Sequence, residues 1–297
     1  MNLKQLESFV RVAELGSFSK AARVLDTAQP ALSRQVRQLE VDLHATLLER
    51  TGRGVLLTEP GKRLFEHANG ILQLMARARE AVASSRDEPS GRIVVGMPPS
   101  LGRRLTLPLV EAFERELPKA QLAIVEGLST HISEWIATGR VDVGLVHNPE
   151  PQPALEIEPL LDEPLHLVSR VSKQRGVVRL VDLPQYPLVI PERSHAIRRL
   201  LEARAALAGI KLSVAWEISS VSAIVAMVLG GHGHAVLTRD AVADEVKAGR
   251  LTLRPLGEPR LVNTLAIATS ASKRASPLQR HVVRSLRELV VAQLPKV

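Results

Sequence analysis

The stretch that decides the fold of the N-terminal part is residues 17–43, SFSKAARVLDTAQPALSRQVRQLEVDL. Ser19 can cap a short helix over 20–25, and a polar break separates that helix from another over about 29–40. A proline near the start of the later helix is tolerated, because the N–H groups of a first turn have no partner within the helix. With an amphipathic helix over 3–14 in front, this order predicts a helix-turn-helix unit.

The helix over 29–40 has two chemically different faces. Leu32, Val36 and Leu39 recur at the spacing of one helical face and are predicted to pack inward. The opposite face offers amide, hydroxyl and guanidinium groups, which can pair with base edges in the major groove of DNA. The side chains expected to contact DNA there are Gln29, Pro30, Ser33, Arg34 and Arg37. A small three-helix bundle with a polar surface is the alternative interpretation.

Residues 47–64 read LLERTGRGVLLTEPGKRL, with two short apolar runs on either side of a glycine-containing turn. This pattern predicts a β-hairpin with strands over 47–50 and 55–57. Such a hairpin would hold Arg53, with Arg50 as a second candidate, against phosphates or in a minor groove, as the wing of a winged helix does.

A long helix is predicted after Thr58, which can cap it. Its apolar residues are spaced by four and three residues in turn, which is the repeat of a coiled-coil seam. They are Leu64, Ala68, Ile71, Met75, Ala78 and Val82. We therefore expect a homodimer through residues 59–86, with a helix packed only on its own domain as the alternative. The polar stretch 84–91, SSRDEPSG, is predicted to be a linker.

Composition excludes several classes of protein. The chain has 297 residues and no cysteine, which excludes disulfide scaffolds, cysteine-ligated zinc, iron–sulfur clusters and thiol nucleophiles. The net charge of +8 favours an anionic partner such as nucleic acid. The sequence shows neither a signal-peptide core nor an apolar run of membrane-spanning length, so we expect a cytoplasmic protein without a membrane partner.

From Arg92 onward, short apolar strands alternate with helices, which predicts an α/β fold with parallel strands and crossover helices. Strands are predicted over 93–96, 122–125, 141–146, 165–169, 188–190, 212–216, 235–237, 251–254 and 264–268. Helices are predicted over 103–117, 130–138, 195–208, 220–229, 239–248 and 276–293.

The stretches quoted above resemble the N-terminal domain of LysR-type transcriptional regulators, whose Ala-Ala, Gln-Pro-Ala-Leu-Ser, Leu-Glu and Leu-Thr positions occur here at the expected spacing. Residues 91–110 and 124–146 further resemble the branch that includes nitrogen-assimilation-control regulators. The resemblance implies base contacts by the exposed face of the helix over 29–40 and a wing contact by Arg53. It also implies two dimers that form a tetramer on promoter DNA.

The same resemblance implies three parts, namely a winged helix-turn-helix over 1–58, a linker (dimerisation) helix over 59–88 and an effector-binding domain over 89–297. The last part is expected to be two-lobed and similar to a type 2 periplasmic binding protein. Its first lobe would comprise about 91–162 and 268–297, and its second lobe about 163–267.

In a two-lobed fold of this kind, the ligand cleft lies at the strand ends, where helix N-termini point their N–H groups. The residues predicted there are Ser100, Leu101, Ser129, Thr130, His147, Ser194 and His195. By resemblance, Ser100 and Thr130 match positions at which family members bind a ligand carboxylate. Hydroxyl groups beside helix N-termini suit an anion, so a small organic anion, such as a carboxylate, is the expected effector. Ordinary helix capping is the alternative.

Other chemistries have little support in the sequence. The segment 230–234, GGHGH, lacks a third ligand at metal-site spacing, so we expect Gly230 and Gly231 to end a helix and expect no metal. A phosphate-binding glycine loop, a nucleophile elbow and a zinc-protease helix are all missing, so neither an enzyme nor a cofactor is expected. Two functions remain: a promoter-binding regulator, and a cytosolic solute-binding module whose N-terminal helices only oligomerise.

Overall fold

The computed structural model of the chain describes residues 1–52, 54–83, 89–171, 174–257, 260–272 and 274–294. The chain divides into two compact units. The first unit comprises Met1–Gly91 and Ala137–Arg140, and the second comprises Arg92–Ile136 and Val141–Val297.

The first unit contains a helix-turn-helix followed by a hairpin and a long helix. Its elements are α1 (Leu3–Leu15), α2 (Phe18–Val24), α3 (Gln29–Asp42), β1 (Leu48–Thr51), β2 (Gly54–Leu57) and α4 (Glu59–Ala83). The side chain of Asn2 accepts the N–H of Gln5, whose own side chain accepts the N–H of Asn2, so a capping box begins α1. Gly16 ends α1 in the left-handed conformation.

Helix α2 begins earlier than the sequence predicts, because Ser17 rather than Ser19 caps it. The Ser17 hydroxyl accepts a hydrogen bond from the Lys20 N–H at 3.3 Å, while Ser19 lies inside the helix. Both serines precede an apolar pattern, and the sequence alone did not distinguish them.

The hairpin lies against the end of α1 through a glycine contact. Gly54 has φ 138°, and a β carbon at this position would come within 2.7 Å of the Gly16 carbonyl oxygen. The next residue, Val55, donates its N–H to that same carbonyl at 2.9 Å. A side chain at position 54 would therefore clash as well as strain the backbone, which fixes glycine there.

The first half of α4 belongs to the core of its own unit. Phe65 meets Phe9 of α1 edge to face with 6.5 Å between ring centroids, and Ala68 is completely buried. Ile71 and Leu74, one turn further on, are 38% and 47% exposed. The alternative interpretation of the apolar stripe thus holds for the first half of α4, while of the later seam positions Ile71 and Ala78 are exposed and Met75 is half-buried. Ser84–Glu88 and the Val82 side chain lie outside the described residues.

The second unit alternates strands and helices. Its helices are α5 (Pro99–Glu116), α6 (Ser129–Ala137), α7 (Ala196–Leu207), α8 (Val221–Leu229), α9 (Ala243–Lys247) and α10 (Pro277–Gln293), with short 3₁₀ segments at Leu180–Gln185 and Asp240–Val242. Its strands are β3 (Gly91–Met97), β4 (Ala120–Glu126), β5 (Val143–His147), β6 (Leu155–Arg170), β7 (Val178–Arg179), β8 (Leu188–Ile190), β9 (Val214–Glu217), β10 (Ala235–Thr238), β11 (Leu251–Gly257) and β12 (Val262–Ser270).

Helix α5 begins at Pro99, four residues before its predicted start. The Pro98 carbonyl accepts the N–H groups of Leu101 and Gly102 at 2.9 and 3.0 Å, so the first turn forms directly behind the proline pair. A proline in the first helical turn has the correct φ and loses no hydrogen bond. The Pro-Pro sequence therefore starts this helix.

The prediction of parallel strands is right for some pairs and wrong for others. Strands β3 and β5 run parallel, as do β8 and β9, but β12 runs antiparallel to both β5 and β6. Strand β6 is also longer than predicted, because the acidic and proline-containing stretch before Pro164 continues the apolar run 165–169 as one strand. A search for apolar strand patterns therefore misses the first half of β6, which is polar.

Strands β6 and β12 connect two hydrophobic cores. Residues 155–164 of β6 pair with β12, whereas residues 165–170 pair with β10 and β11. The core beside β3, β5 and β12 is covered by α5 and α10 and includes Leu105, Phe113, Leu145 and Leu286. The other core includes Leu167, Leu188, Ile224 and Leu237. The polar residues discussed next lie where β6 and β12 pass from one core to the other.

Candidate functional site

Helix α3 presents the two faces that its sequence predicts. Leu32, Val36 and Leu39 are buried in the core of the first unit. The polar side has Gln29, Pro30, Arg34 and Arg37 exposed and Ser33 half-buried. No ion pair of the described part of the chain involves Arg34 or Arg37, so both guanidinium groups are available to an anionic partner. Arg53 lies outside the described residues.

Arg50 of β1 connects three elements of the same surface. Its guanidinium carbon lies 4.7 Å from the centre of the Phe18 ring in α2, and its Nη2 donates a hydrogen bond to the Ser33 hydroxyl of α3 at 3.2 Å. The guanidinium group is therefore fixed beside the exposed face of α3. The sequence offered Arg50 only as a second wing candidate, since its partners lie 17 and more residues away.

In the second unit, the predicted effector residues fall into two groups. Ser100 and Thr130 are exposed near the starts of α5 and α6. Leu101 is 3% exposed and packs into the core, with its N–H already bonded to Pro98, so its side chain is not available to a ligand. Ser129 is buried, and its hydroxyl accepts the N–H of His147 at 2.9 Å.

His147 belongs to a buried polar network where β6 and β12 pass between the cores. Its Nε2 lies 3.3 Å from Oε2 of Glu163, and the Asn263 amide donates to that same oxygen at 3.2 Å. The side-chain Nδ2 of Asn148 donates a hydrogen bond to Oδ1 of Asn263 at 2.8 Å, and Oδ1 of Asn148 accepts the Thr264 N–H at 2.8 Å. Since Asn263 is only 1% exposed, these hydrogen bonds satisfy groups that water does not reach.

His195 caps the start of α7, with its Nδ1 accepting the Ile197 N–H at 3.3 Å. Burial, followed by the charges of His147 and Arg199, lowers the pKa of His195 to about 4. The ring is therefore neutral at pH 7, and the capping bond places its proton on Nε2. The preceding Ser194 is half-buried, and its carbonyl accepts Nη1 of Arg199 at 2.6 Å.

The structure thus brings Ser129, His147 and His195 close to one another, since Ser129 accepts the His147 N–H and the charge of His147 acts on His195. His147 in turn contacts Glu163, a residue that the sequence analysis missed. Ser100 and Thr130 make no described hydrogen bond to this network. Glu163 gave no local sequence signal, because its partners His147 and Asn263 are distant along the chain. Within the described ranges, no group of three or more His, Asp or Glu side chains could hold a metal ion.

The residues of the GGHGH segment (230–234) follow the end of α8 and contact neighbouring protein side chains. Gly231 adopts φ 80° just after α8, and the His234 Nδ1 lies 2.7 Å from the Ser169 hydroxyl. The Tyr186 ring meets the His234 ring edge to face with 5.1 Å between centroids.

None of the helices in the described ranges is both long and apolar enough to span a bilayer.

Comparisons with known proteins agree with this geometry. Residues 3–62 match the family described as bacterial regulatory helix-turn-helix protein, lysR family, and residues 86–290 match the LysR substrate binding domain. The nitrogen assimilation regulatory protein nac of Klebsiella aerogenes is 31% identical over 291 residues, which cover 98% of this chain and 95% of that protein.

Solved structures of two regulators are also similar to this chain over nearly its whole length. A full-length OxyR variant from Pseudomonas aeruginosa is 25% identical with a TM-score of 0.69, covering 98% of this chain and 94% of that one. CbnR complexed with its target DNA is 25% identical with a TM-score of 0.55, covering 97% of this chain and 99% of that one. The chain belongs to the LysR family and is a DNA-binding transcriptional regulator.

Proposed function

We propose that this regulator reads promoter DNA with the exposed face of α3. The observation that carries the proposal is the separation of the faces of α3, with apolar residues buried and amide and guanidinium groups exposed and unpaired. Arginine pairs with guanine, glutamine pairs with adenine, and hydroxyl groups serve bases or phosphates. The proposed contacts are Gln29, Pro30, Ser33, Arg34 and Arg37, with Arg53 in the wing.

The regulator is proposed to act as a homodimer through residues 59–86 and as a tetramer on DNA. Ile71 and Leu74 are exposed in the described single chain, although both are large and apolar. A second α4 packed along this side would bury them. The dimer would deliver two copies of α3 to the two halves of a pseudo-palindromic site.

The proposed division of the chain follows its expected parts, with the winged helix-turn-helix over 1–58, the linker helix over 59–88 and the effector domain over 89–297. Within the effector domain, the proposed lobes comprise about 91–162 with 268–297 and about 163–267. The separate hydrophobic cores on either side of the passage of β6 and β12 support this division. A regulator of this kind works on DNA in the cytoplasm and needs neither catalysis nor a cofactor. A solute-binding module that only oligomerises is not favoured, because it leaves the exposed face of α3 without a role.

The effector is proposed to be a small organic anion that binds near His147 and His195. His195 presents a neutral Nε2–H donor at the start of α7. Ser100 follows β3, Ser129 and Thr130 follow β4, and Ser194 follows β8. Donors of this kind suit a carboxylate. An anion that prefers one arrangement of the lobes would change the spacing of the two DNA-binding units, provided that its affinity differs between the two arrangements.

Fluorescence anisotropy with duplex DNA from the region upstream of the gene for this protein tests the DNA proposal. We expect nanomolar binding that weakens steeply with salt. Arg34→Ala should cost about 1–3 kcal/mol on the specific site and little on scrambled DNA. Arg204→Ala removes an exposed arginine of α7 and is the matched control. Equal losses for Arg34→Ala on both DNAs would refute the assignment of α3 as the base-reading helix.

A further inference from the structure

A cavity of about 370 Å³ lies between α10 and the adjoining ends of β6 and β12, inside the second unit. This volume is within the range of pockets that bind small molecules. The residues around it include Ile157, Ile267, Val283, Arg280, Arg284 and Arg287. Neither the DNA surface nor the network around Glu163 uses any of them.

The inner wall of the cavity is apolar. Ile267 of β12 is 2% exposed, and Val283 of α10, which packs on the same hydrophobic core, is partly buried. In the strand register, Ile267 lies opposite Glu158 and Thr269 lies opposite Glu156, so one side of the cavity is hydrocarbon and its rim is charged. A site with this division suits a ligand that has an apolar body and a polar end.

The charges on the rim are unevenly compensated. Arg287 donates two hydrogen bonds to Glu158, at 3.1 and 2.8 Å, and this pair is neutral. Arg280 and Arg284 are one helical turn apart, and among the described ion pairs neither has a carboxylate partner. Two adjacent like charges on a helix repel each other. Even with Glu156 nearby, three arginines against two glutamates leave the rim positive.

Arg280 and Arg284, the two arginines without a carboxylate partner, each make a hydrogen bond to another part of the protein. Arg280 Nη1 donates to the Ala275 carbonyl at 2.6 Å, and Arg284 Nη2 lies 2.9 Å from His281 Nδ1. Donation to Nδ1 requires the His281 proton on Nε2, which lies 2.8 Å from Glu116. Each guanidinium group therefore keeps N–H donors for a ligand while one hydrogen bond restrains it, which lowers the entropic cost of binding.

We infer that this cavity is a binding site for a small amphipathic organic anion. The carboxylate of the ligand would bind Arg280 and Arg284, and its apolar body would lie against Val283 and Ile267. The site is separate from the cleft around His147 and His195, so it stands whether or not that cleft binds an effector.

Isothermal titration of the full-length protein with 3-phenylpropionate tests the site. We expect saturable binding below about 10 mM, with binding of the neutral 3-phenylpropionamide weaker by roughly tenfold or more. The doubly substituted Arg280→Gln, Arg284→Gln chain should bind 3-phenylpropionate roughly tenfold more weakly. Val283→Phe, which fills the cavity, should do the same. Arg204→Gln is the matched control and should bind like the unaltered protein.

Two further measurements separate this site from the cleft and from misfolding. His195→Asn, in the cleft, should leave 3-phenylpropionate binding unchanged, and the double Arg280, Arg284 variant should retain its affinity for promoter DNA. The proposal is overturned if no heat of binding is seen up to about 10 mM. It is also overturned if binding is lost in His195→Asn but kept in the double variant.

Discussion

At the scale of single residues, Arg50 shows how one side chain can organise a recognition surface. Its guanidinium group stacks on Phe18 and donates to the Ser33 hydroxyl, so it ties β1 to both helices of the helix-turn-helix. An exposed cation–π contact is worth only about 0.5–1 kcal/mol. We infer that Arg50 matters more for positioning Ser33 than for the stability of the unit.

Arg50→Ala is therefore expected to lower the unfolding free energy by about 1 kcal/mol or less and specific DNA affinity by roughly tenfold. Arg50→Lys keeps the charge but loses the planar fork, so it should restore little of the specificity. Anisotropy titrations on specific and scrambled DNA at two salt concentrations measure this. If Arg50→Ala weakens both DNAs equally and reduces the salt dependence by about one ion, Arg50 is a phosphate contact instead.

His195 allows a prediction about pH. Its pKa is about 4 in the folded protein and near the ordinary value of 6.5 in the unfolded chain. Between these values the unfolded chain binds more protons, so stability is full above pH 6.5 and falls as the pH decreases toward 4. Burial lowers the pKa of His166 and His234 as well, and both act in the same direction.

His195→Asn keeps a capping acceptor at the start of α7 and removes the titration. From pH 7 to pH 5, the unfolding free energy of the unaltered chain should fall by about 2 kcal/mol more than that of His195→Asn. Urea unfolding at the two pH values measures the difference. Parallel losses in the two proteins would show that His195 is not the group that titrates.

The environment of single residues could be predicted from the sequence where it depends on a local pattern. The buried and exposed sides of α3 follow from helical spacing. The contacts of Arg50 and Glu163 do not follow, because they join residues up to 100 positions apart and depend on the complete fold. Leu101 was predicted at the effector site from its position after a strand, but helical geometry turns its side chain into the core.

At the scale of elements, α4 combines two roles that one apolar stripe cannot distinguish. Ala68 is fully buried against its own unit, whereas Ile71 and Leu74 remain exposed. The strict heptad spacing predicted one continuous seam, yet packing on α1 already uses its first two positions, Leu64 and Ala68. The dimer contact is expected to begin only at the next turn.

Replacing Ile71 and Leu74 together by glutamate should therefore convert the dimer to a monomer while the helical content stays the same. Charged groups placed in an apolar interface lose their hydration without gaining partners. Sedimentation velocity measures the change in mass, and Val291→Glu, at an exposed apolar position of α10, is the control. If the double variant stays dimeric, the association does not depend on this part of α4.

Apart from the two-residue strand β7 and the 3₁₀ segment at Leu180–Gln185, which were not predicted, the sequence-based predictions of elements were wrong in their boundaries rather than in their existence. Ser17 and Pro99 begin their helices earlier than expected, because capping depends on backbone geometry that several candidates could adopt. The first half of β6 has acidic residues and prolines, and it is a strand because β12 pairs with it. Tertiary pairing overrides local propensity there.

At the scale of the whole molecule, the second unit depends on a polar network at the passage between its two cores. Asn263 on β12 donates a hydrogen bond to Glu163 on β6 and accepts one from Asn148. The Asn263 and Glu163 side chains are buried. Both connecting strands contribute, so a defect here is expected to affect both cores together. A buried polar network is stabilising only while every member is satisfied.

Asn263→Asp should expose this dependence, because it places a second carboxylate against Glu163. At pH 8 the unfolding free energy should fall by about 3–5 kcal/mol, since an unpaired charge would be buried. At pH 5 the loss should be smaller, because two neighbouring carboxylates can share one proton. Relative to the unaltered chain, Asn263→Asp and His195→Asn both recover stability as the pH falls, so calorimetry of each single variant at the two pH values measures the two effects separately. A loss for Asn263→Asp that is the same at both pH values would mean that the two carboxylates do not interact.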